Sequence, residues 1–296
     1  MNDLIMQHAT MDVTYDCNLK CRLCGASAPY TPVHRRNFSF ETQIDALKRF
    51  FQIVAHVKVF DLCGGEVLLY KNLKELLLYM KKYTSQFDDL RLVTNGTLLP
   101  GEELMDVIQT FGNKISFIVD NYGPELSKNA EELDMILTRL GIRHIYRQYT
   151  RENPYCGGWV DFGDFKKRKL ESQEEAERLF SRCAIAQKVH FCFSILGAEV
   201  YPCQPARMCR ELHIVDNYDE YLDLSDPALS VEEQRQKIKN ICNVKYLSAC
   251  YYCNGLCEDS KRYIPAEQLA PEEMEFVRAG AASYAEVLEM KEGRKQ

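Results

Sequence analysis

The chain has 296 residues, 46% of them hydrophobic, with a net charge of −6. That length suits one large domain plus a small one, and the apolar fraction excludes an intrinsically disordered chain. The acidic balance argues against a nucleic-acid partner, and no apolar run reaches a membrane span or a secretory h-region, so a soluble cytoplasmic protein with no membrane partner is expected.

In chain order, Met11–Tyr15 predicts a first strand. The run from Cys17 to Cys24 follows it as C-x3-C-x2-C. Residues 40–55 predict a helix with Phe40, Ile44, Leu47, Phe50 and Phe51 on one side and Ser39 as its N-cap. Val57–Leu62 predicts a second strand, Leu73–Tyr83 a helix, and Leu90–Thr94 a third strand closed by the turn dipeptide Asn95-Gly96. A helix near 101–111, a strand at Ile115–Val119, a helix near 126–140 and a strand at Ile142–Tyr149 complete the pattern. Strand and helix alternating at this interval imply parallel strands, and the expected fold is α/β, a partial (β/α) barrel of five or six strands. The sixth would lie around Trp159–Phe162, which no helix separates from the fifth strand.

Residues 163–178 are highly charged and read as a linker leading into a helix. Val189–Tyr201 predicts a β-hairpin turning near Gly197. Polar, helical or irregular sequence follows, and the last 30 residues predict a surface helix. The expected division is a barrel at 1–165, a linker helix at 166–182, a hairpin-plus-helix domain at 183–262 and a helical tail at 263–296.

Thirteen cysteines require an explanation. Disulfides are disfavoured without secretion, and clustering points to metal or iron–sulfur ligation. Cys17, Cys21 and Cys24 can hold three irons of a [4Fe–4S] cube and leave the fourth open. In a barrel, chemistry sits at the C-terminal ends of the strands. There the sequence places the three-cysteine loop, Gly64-Gly65-Glu66, Thr94-Asn95-Gly96 and Asp120-Asn121-Tyr122-Gly123. A second group runs from Cys183 to Cys257 and contains the C-x2-C pair Cys250 and Cys253, which suits either zinc or a further iron–sulfur cluster.

With Leu23 before the last cysteine of the motif and the glycine pair with glutamate on the second strand, residues 10–150 resemble the radical S-adenosylmethionine (SAM) superfamily. The resemblance implies that SAM chelates the open iron of the Cys17/Cys21/Cys24 cluster. Gly64 and Gly65 would then approach its methionyl part, Glu66 would accept from its ammonium group, and Leu23 would pack on adenine. Thr94, Asn95 and Asp120 become candidates for ribose or substrate contacts. Val67 stands where many members have proline. The second group resembles the SPASM/twitch extension, whose shorter form holds one auxiliary [4Fe–4S] cluster, here on Cys183, Cys203, Cys250 and Cys253. The longer C-x2-C-x5-C-x3-C run of the full form is absent. Cys257 or Cys209 is the alternative ligand, and Cys192 fits the hairpin core. His190 and His213 read as structural.

The layout resembles the dehydrogenase of 2-deoxy-scyllo-inosamine. It implies an oxidoreductase that abstracts hydrogen from a small polar molecule, with the auxiliary cluster as electron acceptor and a flavodoxin or ferredoxin as donor. Arg147, Arg151 and Asp161 are candidate bases. An epimerase using Cys63 or Cys156 as hydrogen donor, a peptide maturase and a non-catalytic zinc or iron–sulfur scaffold remain as alternatives.

Overall fold

The structure is a computed structural model that describes residues 3–150 and 154–294. One continuous eight-stranded sheet organises it, in the order β5-β4-β3-β2-β1-β6-β7-β8. The strands are β1 (Ile5–Thr14), β2 (His56–Gly64), β3 (Phe87–Thr94), β4 (Ile115–Asn121), β5 (Arg143–Gln148), β6 (Phe193–Leu196), β7 (Glu199–Tyr201) and β8 (Leu222–Asp223). Strands β1 to β5 are parallel to their neighbours, β6 joins β1 in parallel, and β7 and β8 are antiparallel. The sheet does not close, which makes it a partial barrel.

The first half follows the predicted alternation. Helices α1 (Phe40–Ile53), α2 (Leu73–Met80), α3 (Glu102–Gln109) and α4 (Ala130–Arg139) each fall between consecutive strands. Ser39 caps α1 by accepting from the Thr42 amide, which satisfies one orphan donor of the first turn. Alternate residues on the strands face opposite sides. Ala9, Met11 and Val13 on β1, Phe60 and Leu62 on β2, and Leu90 and Leu92 on β3 are fully buried in the helix-covered core. The other face carries His8, Thr10 and Asp12 on β1 and Asp61 and Cys63 on β2, with Thr10 opposite Asp61 and Asp12 opposite Cys63. A polar inner face is why these parallel strands alternate instead of reading as continuous apolar runs.

Four features differ from the sequence reading. The sixth parallel strand is β6 and not residues 159–162: Trp159 makes only an isolated bridge to Tyr263, closed by reciprocal amide–carbonyl bonds of 3.0 and 2.8 Å. The predicted hairpin exists, with Gly197 at its turn, but it extends the main sheet through β1. The linker helix is shorter than expected, α5 (Gln173–Arg182), and begins at a capping box formed by Ser172 and Glu175. After a single turn, α6 (Ala184–Gln187), the chain enters β6; α7 (Gln204–Glu211) and α8 (Val231–Cys242) follow the hairpin. The tail is two helices, α9 (Pro271–Arg278) and α10 (Tyr284–Gly293), not one surface helix. They bury Phe276 and Val287, with Ala281 of the turn between them, against Tyr30 and Leu269. Among the described residues no helix is long and apolar enough to cross a membrane.

Candidate functional site

The C-terminal ends of β1 to β5 surround a cavity of about 430 Å³. Cys17, Cys21, Cys24 and Leu23 form one wall, Gly64 and Gly65 another, and Thr94, Asn95 and Asp120 a third. The glycines have a steric cause. A Cβ on Gly64 would lie 2.1 Å from the Thr14 carbonyl oxygen, and one on Gly65 2.3 Å from that of Asp16. Their backbones close the β1–β2 junction, with the Gly65 amide donating to Thr14 O at 2.6 Å and the Glu66 amide to Asp16 O at 2.9 Å.

Glu66 corrects an expectation. It is fully buried behind the cavity and absent from its wall. Its oxygens accept from the Thr94 hydroxyl (2.8 Å), the Asn95 amide (2.8 Å) and the Leu68 amide (3.1 Å). Burial raises its carboxyl above the usual range against those three donors. Glu66 therefore braces the third-strand loop against the second rather than presenting a free carboxylate to a ligand.

Each sulfur of the first group meets N–H donors. Asn95 Nδ2 lies 3.5 Å from Cys17 Sγ, and Gln268 Nε2 donates to Cys21 Sγ at 3.2 Å. The amides of Ala28, Ala26 and Ser27 and the Arg207 guanidinium oppose the effect of burial on Cys24, which raises its thiol. Burial likewise pushes Cys17 up to about 11, and Cys21 higher. Metal-free thiols here are penalised as thiolates, while the donors around them suit anionic sulfur. That donor set fits iron–sulfur ligation, in which hydrogen bonds to sulfur are part of the site. Among the described residues no three side chains converge on a single metal ion. A cube makes no such demand, because each of its thiolates holds a different iron.

The tail, which the sequence placed on the surface, clamps this loop. The Leu269 amide donates to Lys20 O at 2.7 Å, the Arg22 amide to Glu267 O at 2.8 Å, and the Lys20 amide to Gln268 Oε1 at 2.6 Å.

Beside the cysteines stands an aromatic wall that the sequence reading missed, with Tyr122 and Trp159 packed in one cluster with Cys17, Cys21 and Cys24. Tyr122 packs against Tyr149 (ring centroids 5.0 Å) and edge-on against Trp159 (5.6 Å), and Tyr149 meets Tyr155 at 5.7 Å. These rings come from two strand-end loops, and no periodicity links them. Beneath them Arg147 forms a bidentate pair with Asp120 at 2.5 and 2.6 Å.

The remaining candidates separate clearly. Cys63 lines the cavity, and its thiol donates to Asp12 Oδ1 at 3.3 Å. Cys156 lines the rim and is exposed. Asp161 is absent from the cavity wall, and its Oδ1 accepts from the Gly163 amide. Arg147 lines the wall but is committed to Asp120. Arg151 lies outside the described residues.

The second group also assembles. Cys183, Cys203, Cys250 and Cys253 all line one small cavity whose other walls include Leu179, Phe180, Ile185, Phe191 and Leu247. The Gly255 amide donates to Cys253 Sγ at 3.2 Å and the Leu247 amide to Cys250 Sγ at 3.5 Å. Burial pushes Cys250 up to about 12. Cys257 and Cys209 are buried outside this wall, and Cys192 bonds to Thr10 at 3.0 Å on the inner sheet face. None of the thirteen cysteines is in a disulfide. Phe162 lines both cavities, and Leu256, three residues beyond Cys253, reaches the first.

Residues 11–152 match the Radical SAM superfamily. These residues form a radical SAM domain. It is 32% identical over 108 residues to the antilisterial bacteriocin subtilosin biosynthesis protein AlbA of Bacillus subtilis (strain 168), a match covering 36% of this chain and 22% of AlbA. The chain thus spans about a fifth of that relative's length. Among solved structures, BtrN in complex with AdoMet and 2-DOIA aligns over 91% of this chain and all of its own, at TM-score 0.51 and 16% identity. Native anSMEcpe with bound AdoMet aligns over 99% and 98%, at TM-score 0.50 and 14% identity. At these identities the two structures show a shared fold. The family implies a [4Fe–4S] cluster and SAM as cofactors.

Proposed function

We propose that this radical SAM enzyme oxidises a small polar, ring-bearing molecule such as a sugar, cyclitol or conjugate, with the second cysteine group holding an auxiliary [4Fe–4S] cluster that accepts the electron. The observation that carries this reading is the pair of cavities: Cys17, Cys21 and Cys24 line one, Cys183, Cys203, Cys250 and Cys253 line the other, and Phe162 lines both. In the first, the cluster and SAM supply reductive SAM cleavage and hydrogen-atom abstraction. The chain's own residues do the rest. Gly64 and Gly65 let backbone approach the bound cofactor closely, and Leu23 packs on its adenine. Thr94 and Asn95 hold the third-strand loop through Glu66. Tyr122, Tyr149 and Trp159 offer apolar faces to the C–H surface of a ring and exclude water from it.

Oxidation of a carbinol needs a proton acceptor. Asp120 is the one carboxylate in the cavity wall among the described residues. Burial raises its carboxyl above the usual carboxylate range and the Arg147 guanidinium opposes that shift, which suits a group that takes up a proton. We assign it that role in place of Arg147, with which it pairs, and Asp161, which is absent from the wall.

AlbA, by its name, serves bacteriocin biosynthesis, and that similarity supports a second reading in which the substrate is a peptide. One experiment separates the two. Reconstituted anaerobic enzyme is screened with cyclitols, sugars and peptides for SAM cleavage above the uncoupled rate. Emission from Trp159, the single tryptophan, reports occupancy of the aromatic wall. Stimulation and a fluorescence change with ring polyols support oxidation of a small molecule; stimulation by peptides alone overturns it.

A further inference from the structure

Arg207 is a buried cation between the two cysteine groups. It lies on α7, whose N-cap is Cys203, and its side chain is 1% exposed. It leaves its own helix to reach the loop after Cys24: Nη2 donates to the Ala26 carbonyl at 3.0 Å, and the guanidinium lies 4.6 Å over the Tyr15 ring. Gln204, one residue into the same helix, donates to the Ser27 hydroxyl. Nη1 pairs with Glu211 at 2.9 Å, and Glu211 also holds Arg35 at 3.2 Å. The Arg207 Nε–H has no hydrogen-bond partner although it is buried. A buried, unpaired donor on a cation is costly unless something accepts from it.

We infer that Arg207 is a positioning residue for the first cluster: its charge, held against the Cys24 loop by Glu211, raises that cluster's reduction potential. The inference rests on the reading that Cys17, Cys21 and Cys24 hold the cluster. Reduction adds negative charge, and a fixed cation in a low-dielectric setting stabilises the reduced form. Removing the cation makes reduction harder, and removing its counter-ion makes it easier. A structural ion pair predicts no such opposition, because losing either partner would merely loosen the loop.

The test is redox titration of reconstituted full-length protein, following the electron paramagnetic resonance signal that SAM perturbs. Arg207→Gln is expected to lower the reduced-to-oxidised ratio at a fixed potential about tenfold, a shift of 59 mV downward for a one-electron couple. Glu211→Gln is expected to shift it upward. Arg207→Lys, which keeps the charge, is expected to stay within about threefold of the parent, under 30 mV. If Arg207→Gln does not fold, the Glu211→Gln and Arg207→Lys pair decides. Potentials that do not move, that move in the same direction in both glutamine variants, or that shift equally in the lysine variant overturn the inference. A parent protein with no SAM-perturbed signal instead overturns the reading beneath it.

Discussion

The two cysteine groups are built differently. The first lines a cavity of about 430 Å³ open at the strand ends, rimmed by glycines, polar loops and aromatic rings. The second lines a small pocket walled by leucine, isoleucine and phenylalanine, with Cys253 buried. The first has room for an organic ligand beside its sulfurs, and the second does not. The contrast supports the proposal that the first group meets cofactor and substrate while the second exchanges only electrons.

Several changes would break or sharpen that contrast, beginning with the most severe. Alanine at Cys17, Cys21 or Cys24 is expected to drop SAM cleavage to background, whereas alanine at Cys253 leaves uncoupled cleavage and abolishes product; chromatographic assay of both reads the difference. Equal loss in the two sets would erase the distinction. Gly65→Ala forces a Cβ against the Asp16 carbonyl and is expected to cost about 1–3 kcal/mol in chemical unfolding and to weaken SAM binding. Glu66→Ala leaves three donors without their acceptor, at about 1–3 kcal/mol for each buried one. Its second expected effect is a loosened third-strand loop, seen as faster amide exchange at Asn95.

A further effect, read through pH and not through activity, lies at His8 on β1, on the polar face of the sheet. Burial disfavours a charged His8, but its bonds to Asp61 and Cys192 outweigh that and raise it to about 10. A raised histidine stabilises the fold fully below its unfolded value near 6.5 and loses that contribution as pH climbs through about 10. His8→Leu should flatten the stability profile across that window by on the order of 2 kcal/mol, measured by denaturant titration.

How much of this was legible follows from distance along the chain. The five strands of the first half, α1 with its Ser39 cap, and the rim positions of Gly64, Thr94 and Asp120 are local patterns, and periodicity reveals them. Of the second pocket, spacing alone offered the Cys250–Cys253 pair, and the resemblance to the SPASM/twitch extension added Cys183 and Cys203. The pairing of β1 with β6, in which Thr10 meets Ser194, joins segments far apart in sequence and leaves no local trace. The same holds for the Cys21–Gln268 contact and for Arg207, whose polar helix gave no sign that one arginine turns inward. Glu66 was placed correctly in the chain but misread in direction, since a motif does not say which way a carboxylate faces.

The central claim, two clusters on two cysteine groups, is tested most directly by anaerobic iron and sulfide analysis. The comparison is between the parent and the variant with alanine at Cys17, Cys21 and Cys24. About eight irons in the parent and about four in the variant, with matching sulfide, is the expected result. Four in the parent and none in the variant, or zinc without sulfide, would contradict it.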